Sequence, residues 1–362
     1  MNPTLALTSG DPAGIGPEIA VKCLSNLDVL SACRLVVVGD AQQLRQTASS
    51  LRIGLPQSLQ VWDARSPLEG AGPFLVDLGP TLEPIAPGLP SAASGQAAMS
   101  AIKKAVSLAW ERKVDGIVTG PISKKALHLA GAGATGHTEI LARLTDSPQV
   151  GMMFVTPAFK VVVLSHHVSL RNALDLITRD RLAGLIRFAA SEHRRLFREE
   201  PRMGVAGLNP HSGEDSLFGD EEEKEIAPAI ERCREEGLDV WGPYPPDTIY
   251  LRATRKEFNL VVALYHDQAT IPVKVSAFGK SAGLTLGLPF LRTTVDHGTA
   301  FDIAGRGTAD PSSLKAAIDL AVRLTVNRSS GNSGSMRLGP SDGSHEPSFE
   351  ESEPTTPPGQ PE

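Results

Sequence analysis

Hydrophobic residues follow two rhythms along this chain. Short runs rich in β-branched residues, at 35–38, 116–118, 160–164 and 260–264, are bounded by Gly, Asp, Thr or His. A run with no polar face is a strand covered from both sides, which is how parallel sheets are buried. Between the runs lie helix-length amphipathic stretches at 95–111, 180–199 and 220–237, and a further helix is expected over 312–324. Strands alternating with helices over most of the chain predict a layered α/β fold.

The rhythm stops near the end. Residues 328–362 are rich in Ser, Gly, Pro and Glu, hold one Phe, and set Asp342, Glu346, Glu350, Glu351, Glu353 and Glu362 against Arg328 and Arg337. Such a composition cannot bury enough apolar surface to fold, so a disordered acidic tail is expected over 328–362. Six acids against two bases give the tail a charge of −4, leaving −2 for the rest of a chain whose formal charge is −6. The acidity therefore says little about a site, and the absence of a basic stripe argues against a nucleic-acid partner.

At 362 residues and 41% hydrophobic content the chain can bury two moderate cores meeting at a cleft. No apolar run approaches the roughly 20 residues that span a bilayer, and Met1-Asn2-Pro3 opens no charged leader. Cys23, Cys33 and Cys233 show no CxxC spacing, so neither a disulfide framework nor a thiolate metal site is expected. These features predict a soluble cytoplasmic protein with no membrane partner.

The segment 5–19, Leu5-Ala-Leu-Thr-Ser-Gly-Asp-Pro-Ala-Gly-Ile-Gly-Pro-Glu-Ile19, reads as a strand, a glycine-rich turn and a helix with Pro17 in its first turn. Its amides could face a ligand, or the turn could simply be a tight connection; without GxGxxG it is no ordinary dinucleotide fingerprint.

Histidines carry more. His167 (or its neighbour His166), His211 and His266 each follow an apolar run, where a parallel sheet presents its ligands. Three neutral imidazoles with open positions are the donor set of a catalytic divalent ion, although each taken alone reads more readily as a hydrogen-bonded structural residue. Adjacent side chains on a strand face opposite ways, so only one of His166 and His167 can point at a cleft.

His137 and Thr138, in Gly136-His-Thr-Glu139, offer a ring and a hydroxyl to phosphate or carboxylate oxygens; the alternative for Thr138 is a helix cap. Lys274 and Arg292 interrupt apolar segments, which requires either a bound anion or a structural ion pair. Asp247, in Pro243-Tyr-Pro-Pro-Asp247, could orient a water or a ligand histidine, or only shape a turn. The polar, glycine-rich stretch 295–310 is long enough to be a functional loop.

Taken together, Thr8-Ser-Gly-Asp-Pro-Ala-Gly-Ile-Gly-Pro-Glu18, Gly136-His-Thr-Glu139, Asn209-Pro-His-Ser-Gly-Glu214, Tyr265-His-Asp-Gln268 and Val295-Asp-His-Gly-Thr299 resemble the 4-hydroxythreonine-4-phosphate dehydrogenase family. The resemblance covers roughly residues 4–325, and the last loop is also similar to the cofactor loop of isocitrate and isopropylmalate dehydrogenases. It implies a two-domain, three-layer α/β/α fold of that kind, with 1–130 and 281–327 forming one domain and 131–280 the other. It also implies a homodimer with its active site in the interdomain cleft at the subunit interface.

Carried over by position, the resemblance puts metal ligands at His167, His211 and His266, the Ser-His-His-Val-Ser-Leu context selecting His167. Substrate contacts fall on His137, Thr138, Lys274 and Arg292, and proton handling on Lys274 and Asp247. NAD or NADP would lie along His297, Gly298, Thr299 and Asp302, and the ion would be zinc, cobalt, magnesium or manganese. Gly283 departs, standing where the family carries an asparagine.

The implied reaction oxidises 4-hydroxy-L-threonine 4-phosphate and releases CO2, giving 3-amino-2-oxopropyl phosphate in vitamin B6 biosynthesis. Gly283 leaves open a sister enzyme for 4-phospho-threonate, 4-phospho-erythronate or a ring dihydrodiol. A non-catalytic metal- or phosphate-binding protein is the reading from another class.

Overall fold

Each of the four apolar runs becomes a strand, with Leu164 and Leu264 falling just past the strand ends. The computed structural model describes residues 2–133 and 136–330. In chain order its strands are β1 (Thr4–Thr8), β2 (Arg34–Gly39), β3 (Gln60–Val61), β4 (Phe74–Asp77), β5 (Gly116–Thr119), β6 (Gly151–Val155), β7 (Lys160–Val163), β8 (Met203–Ala206), β9 (Val240–Tyr244), β10 (Leu260–Ala263), β11 (Ala282–Leu286) and β12 (Leu291–Thr294). They form a single twelve-stranded sheet in the order β3-β4-β2-β1-β5-β12-β11-β6-β7-β10-β8-β9.

Alternating strand residues feed different cores, as the two-residue strand period requires. Leu5, Leu7, Val37, Val162 and Leu260 pack with Ile19, Ile186 and Ile318 on one face, under the helices Gly16–Leu24, Arg179–Phe197 and Ser312–Ser330. On the other face the core divides. Ala6, Val36 and Val38 meet Ile102 and Val106 of the helix Ala92–Trp110, while Val161, Val163 and Val261 meet Ile249, Ala269 and Val273. The result is three layers, with one face shared along the sheet and the other split in two.

Strand direction decides where chemistry collects. β3, β4, β2, β1, β5 and β12 pair parallel, and so do β7, β10, β8 and β9. Between these blocks the pairs β12/β11, β11/β6 and β6/β7 are antiparallel. Three successive reversals turn the second block against the first, so the carboxyl ends of the two blocks lie on opposite edges of the sheet.

Two expected boundaries move. The 220–237 stretch begins as a wide turn, Glu222–Ile226, and only then becomes the helix Ala227–Glu235, with Pro228 in the first turn where its missing N–H costs nothing. The last helix runs on to Ser330, past 324 and into the stretch expected as tail. The remainder of that stretch, 331–362, lies outside the described residues. No described helix is long and apolar enough to cross a membrane.

Candidate active site

β7, β10 and β8 are adjacent and parallel, so the loops after them share one edge. His166 and His167 follow β7, His266 opens the helix His266–Ala277 after β10, and His211 sits in the turn Pro210–Gly213 after β8. The His167 and His266 rings are 6.0 Å apart and those of His166 and His167 are 6.4 Å apart. Burial, then the neighbouring His167 and His266, hold His166 at about 4. His167 is also lowered, by burial and then by Lys124, so these rings are neutral, as metal ligands must be.

His211 stands apart from this pair. It is exposed, with φ of 53°, and its Nδ1 lies 3.1 Å from Glu214 Oε2. Among the described residues no three His, Cys, Asp or Glu side chains are grouped to hold an ion. The structure thus brings His167 and His266 together and leaves His211 on its carboxylate. Asp247 lies exposed in the turn Pro245 to Thr248 after β9, whose Thr248 amide donates to Pro245.

The middle of the sheet holds the residues expected to meet an anion. Arg292 on β12 is 1% exposed, yet its guanidinium donates only to hydroxyls: Nε to Thr119 Oγ1 at 3.1 Å, Nη1 to Thr285 Oγ1 at 2.8 Å and Nη2 to Thr119 Oγ1 at 2.5 Å. Burial lowers it to about 9. No carboxylate among the described residues forms a salt bridge with it, so the ion-pair reading finds no partner there and the anion reading stays open. His137, first residue of the helix His137–Leu144, is held well below its ordinary value by burial and then by the Arg292 charge, and its Nε2 is buried without a partner. Gly136 is the cap of that helix and uses no side chain, so Thr138, within the first turn, is not its cap.

Gly283 pairs across β11/β12 with Thr294. A Cβ at 283 would stand 2.7 Å from Thr294 Cγ2, so the methyl of Thr294 occupies the space a side chain there would need. Thr294 Oγ1 in turn lies 3.0 Å from Thr119 Oγ1, the acceptor for Arg292.

Lys274 resolves the other way from Arg292. It lies two turns beyond His266 on the same helix, about 12 Å along the axis. That carries it towards the opposite sheet edge, where Nζ donates to the Asp296 carbonyl and lies 3.4 Å from the Asp296 carboxylate. Asp296 was not among the sequence candidates, although it stands inside the Val295-Asp-His motif; its place in that motif was the available signal, and its pairing with Lys274 was not visible.

The loop after β12 is gripped by the glycine turn after β1. Ile15 N donates to Thr299 O at 3.0 Å, and a Cβ on Gly14 would come within 2.8 Å of that oxygen. Gly10, with φ of 81°, lies against Pro121, whose carbonyl is 2.2 Å from where a Cβ would stand. Glu18, 2% exposed, accepts from Ala309 N at 2.7 Å, Gly307 N at 3.1 Å and Lys22 Nζ at 2.8 Å; Lys22 donates to both those residues' carbonyls. Glu18 and Lys22 therefore clamp the loop through its backbone and were missed because neither residue type marks such a role. His297 Nε2 is buried without a partner, Gly298 faces open space, and Asp302 is exposed in the turn Phe301–Ile303.

Comparison with known proteins gives the family. A family model described as pyridoxal phosphate biosynthetic protein PdxA matches residues 31–321. The chain belongs to the PdxA family. It is 43% identical to a D-threonate 4-phosphate dehydrogenase of Pectobacterium atrosepticum, over 90% of this chain and 100% of the relative. It is 44% identical to a 4-hydroxythreonine-4-phosphate dehydrogenase of Beijerinckia indica, over 89% and 95%. A 4-hydroxythreonine-4-phosphate dehydrogenase from Klebsiella pneumoniae superposes with a TM-score of 0.80 at 42% identity, over 90% of this chain and 100% of that one. This PdxA-family chain is a dehydrogenase, which sets aside the non-catalytic reading.

The residues fit the two groups expected from the sequence, a divalent ion and a nicotinamide, to different degrees. For a divalent ion, the His167 and His266 rings lie together, while His211, the third expected ligand, lies against Glu214. For a nicotinamide cofactor, the orphaned Nε2 of His297 and the open face of Gly298 border the loop that Glu18 fixes.

Proposed function

We propose that this chain oxidises a four-carbon hydroxy acid phosphorylated at C4, with NAD or NADP as acceptor and a divalent ion held by His167, His211 and His266. The observation that carries the reading is the buried Arg292 guanidinium, bonded only to hydroxyls, beside the partnerless Nε2 of His137. A buried cation without a counter-charge is costly until an anion arrives, and a fork of N–H donors suits phosphate or carboxylate.

The chain's own residues then divide the work. Arg292, His137 and Thr138 bind the anionic end. Lys274, steadied by Asp296, would take the proton of the substrate hydroxyl as hydride leaves its carbon, and would return a proton to the neighbouring carbon once that carbon has lost CO2; Asp247 is the second candidate for proton handling. Glu18 and Lys22 keep the loop of His297, Gly298, Thr299 and Asp302 in position for the cofactor. A nicotinamide held along His297, Gly298, Thr299 and Asp302 would supply the hydride acceptor, and an ion held by the histidines, whether zinc, cobalt, magnesium or manganese, would supply the Lewis acid that makes the hydroxyl easier to deprotonate.

The assembly we propose is a homodimer with the site at the interface. Ile271, Val275 and Phe278 follow one stripe of the Lys274 helix and are 59%, 83% and 76% exposed. Such a stripe suits burial against a second copy. The opposed edges of the two parallel blocks favour a site completed across that interface, with 1–130 and 281–327 as one domain and 131–280 as the other.

Two substrates share this chemistry. 4-Hydroxythreonine 4-phosphate, the vitamin B6 precursor, carries an ammonium at C2; D-threonate 4-phosphate carries a hydroxyl. The Gly283–Thr294 pair turns a methyl towards position 283 and keeps the Thr294 hydroxyl engaged with Thr119, and a buried ammonium left unpaired costs more than a hydroxyl. That favours the threonate, with the hydroxythreonine as second reading. NADH formation with each substrate, with divalent metal and with chelator, tests both: chelator-sensitive turnover of D-threonate 4-phosphate at the higher kcat/KM is expected. Preference for the hydroxythreonine would reverse the choice, and turnover of neither would reject the phosphorylated-acid reading.

A further inference from the structure

A cavity of about 460 Å³ opens at the edge of the sheet opposite the histidine loops, where β7, β8 and β10 begin. Lys160, Arg202, Lys256 and Arg323 line it, against one carboxylate, Glu199. The Lys160 side chain is 15% exposed, with Nζ 3.5 Å from Glu199 and 4.5 Å over the ring of Phe197. Phe258, Leu320 and Leu324 add an apolar floor. Four cations for one acid around an apolar floor make a receptor for an anionic segment that also carries an apolar side chain.

Such a segment belongs to this chain. The helix Ser312–Ser330 supplies Leu320, Arg323, Leu324 and Asn327 to the wall, so residues 331–362 leave from the rim. Those residues hold Asp342, Glu346, Glu350, Glu351, Glu353 and Glu362 against a single base, Arg337. Four of the acids flank Phe349 in Glu346-Pro-Ser-Phe-Glu-Glu-Ser-Glu353. Residues 330 and 353 are twenty-three positions apart, a length of chain that can span roughly 25 Å, and short tethers give effective concentrations on the order of millimolar.

We propose that residues 346–353 dock into this cavity of their own chain, Phe349 on the apolar floor and the glutamates on Lys160, Arg202, Lys256 and Arg323. The contact is ionic at its rim and weakens with salt.

The test is a competition on the full-length protein. A labelled peptide of residues 344–355 is titrated by fluorescence anisotropy against the natural chain and against a full-length chain carrying E346Q, E350Q, E351Q and E353Q. The neutralised chain should bind the peptide at least tenfold more tightly, because its own segment no longer competes, and 0.5 M salt should abolish the difference. Adding Arg323→Gln and Lys256→Gln to the neutralised chain should remove binding; Arg323→Gln alone, at an exposed position, serves if the pair unfolds. Equal affinity for the two chains, no binding to either, or binding indifferent to Arg323→Gln overturns the proposal. Displacement of the peptide by millimolar inorganic phosphate, with no difference between the two chains, would assign the cavity to a free anion instead.

Discussion

Lys274 Nζ lies 3.4 Å from the carboxylate of Asp296, which is 3% exposed and is itself held by the hydroxyls of Ser281 and Ser313. Burial alone would raise Asp296, but these hydroxyls and Lys274 outweigh it and leave the acid below its ordinary value, ionised at neutral pH. The lysine is thus anchored by a fixed negative charge while its own side chain stays partly open. Lys274→Met should lower kcat about 10²- to 10⁴-fold, the range of a lost proton-transfer group, with a smaller change in KM. Asp296→Asn should give a partial loss. A Lys274→Met enzyme within a few-fold of the natural kcat would remove Lys274 from the chemistry.

Arg292 predicts a separation of function from stability. Because no carboxylate of the described residues balances its buried charge, Arg292→Met discards a desolvation cost along with three hydrogen bonds. Thermal unfolding should shift little in either direction, while KM for the phosphorylated substrate rises a hundredfold or more. A large drop in melting temperature would show that the guanidinium is a structural strut.

What was legible beforehand followed from local pattern. The four apolar runs became strands because a run without a polar face has only a buried place to go, and His167, His211 and His266 fell after parallel strands as their positions required. The opposition of the two blocks was not legible, since it depends on β11 and β6 pairing antiparallel across a long sequence gap. Nor could spacing show that Arg292 would go without an acid while Lys274 found one, or that Thr294 would fill the space beside Gly283. Those are facts of cross-strand neighbours.

Glu18 and Lys22 should act on cofactor binding from a distance. Glu18→Gln keeps the size of the side chain but weakens bonds to Gly307 N and Ala309 N and the pairing with Lys22. Losing charge-assisted bonds at a site 2% exposed should cost roughly 1–3 kcal/mol. KM for the nicotinamide cofactor should rise about tenfold with KM for substrate unchanged. Equal effects on both would indicate a general loosening of the fold.

Gly283 and Thr294 should behave as a coupled pair. Gly283→Ala places a Cβ 2.7 Å from Thr294 Cγ2 and should destabilise by about 1–3 kcal/mol through overpacking. Thr294→Ser removes the methyl while keeping a hydroxyl for Thr119, so the double variant should recover most of that loss. Additive effects in the double-mutant cycle would separate the two positions.

His193 gives a pH signature away from the site. It is 0% exposed, its Nδ1 lies 3.1 Å from the Glu199 carbonyl and its Nε2 has no partner. Burial, then the Lys160 charge, bring it from 6.5 to about 4. Above pH 6.5 neither the folded nor the unfolded chain binds this proton, and the full stability is present. As pH falls from 6.5 towards 4, the unfolded chain takes the proton and the folded chain refuses it, so stability is lost at up to ~1.4 kcal/mol per pH unit, roughly 3 kcal/mol in all. Below 4 this group adds no further slope. Denaturant unfolding of the natural protein and His193→Gln at pH 7, 6, 5 and 4.5 should therefore give curves that converge as pH falls, the variant being less pH-sensitive. Parallel curves across that range would mean that His193 is protonated equally well in both states.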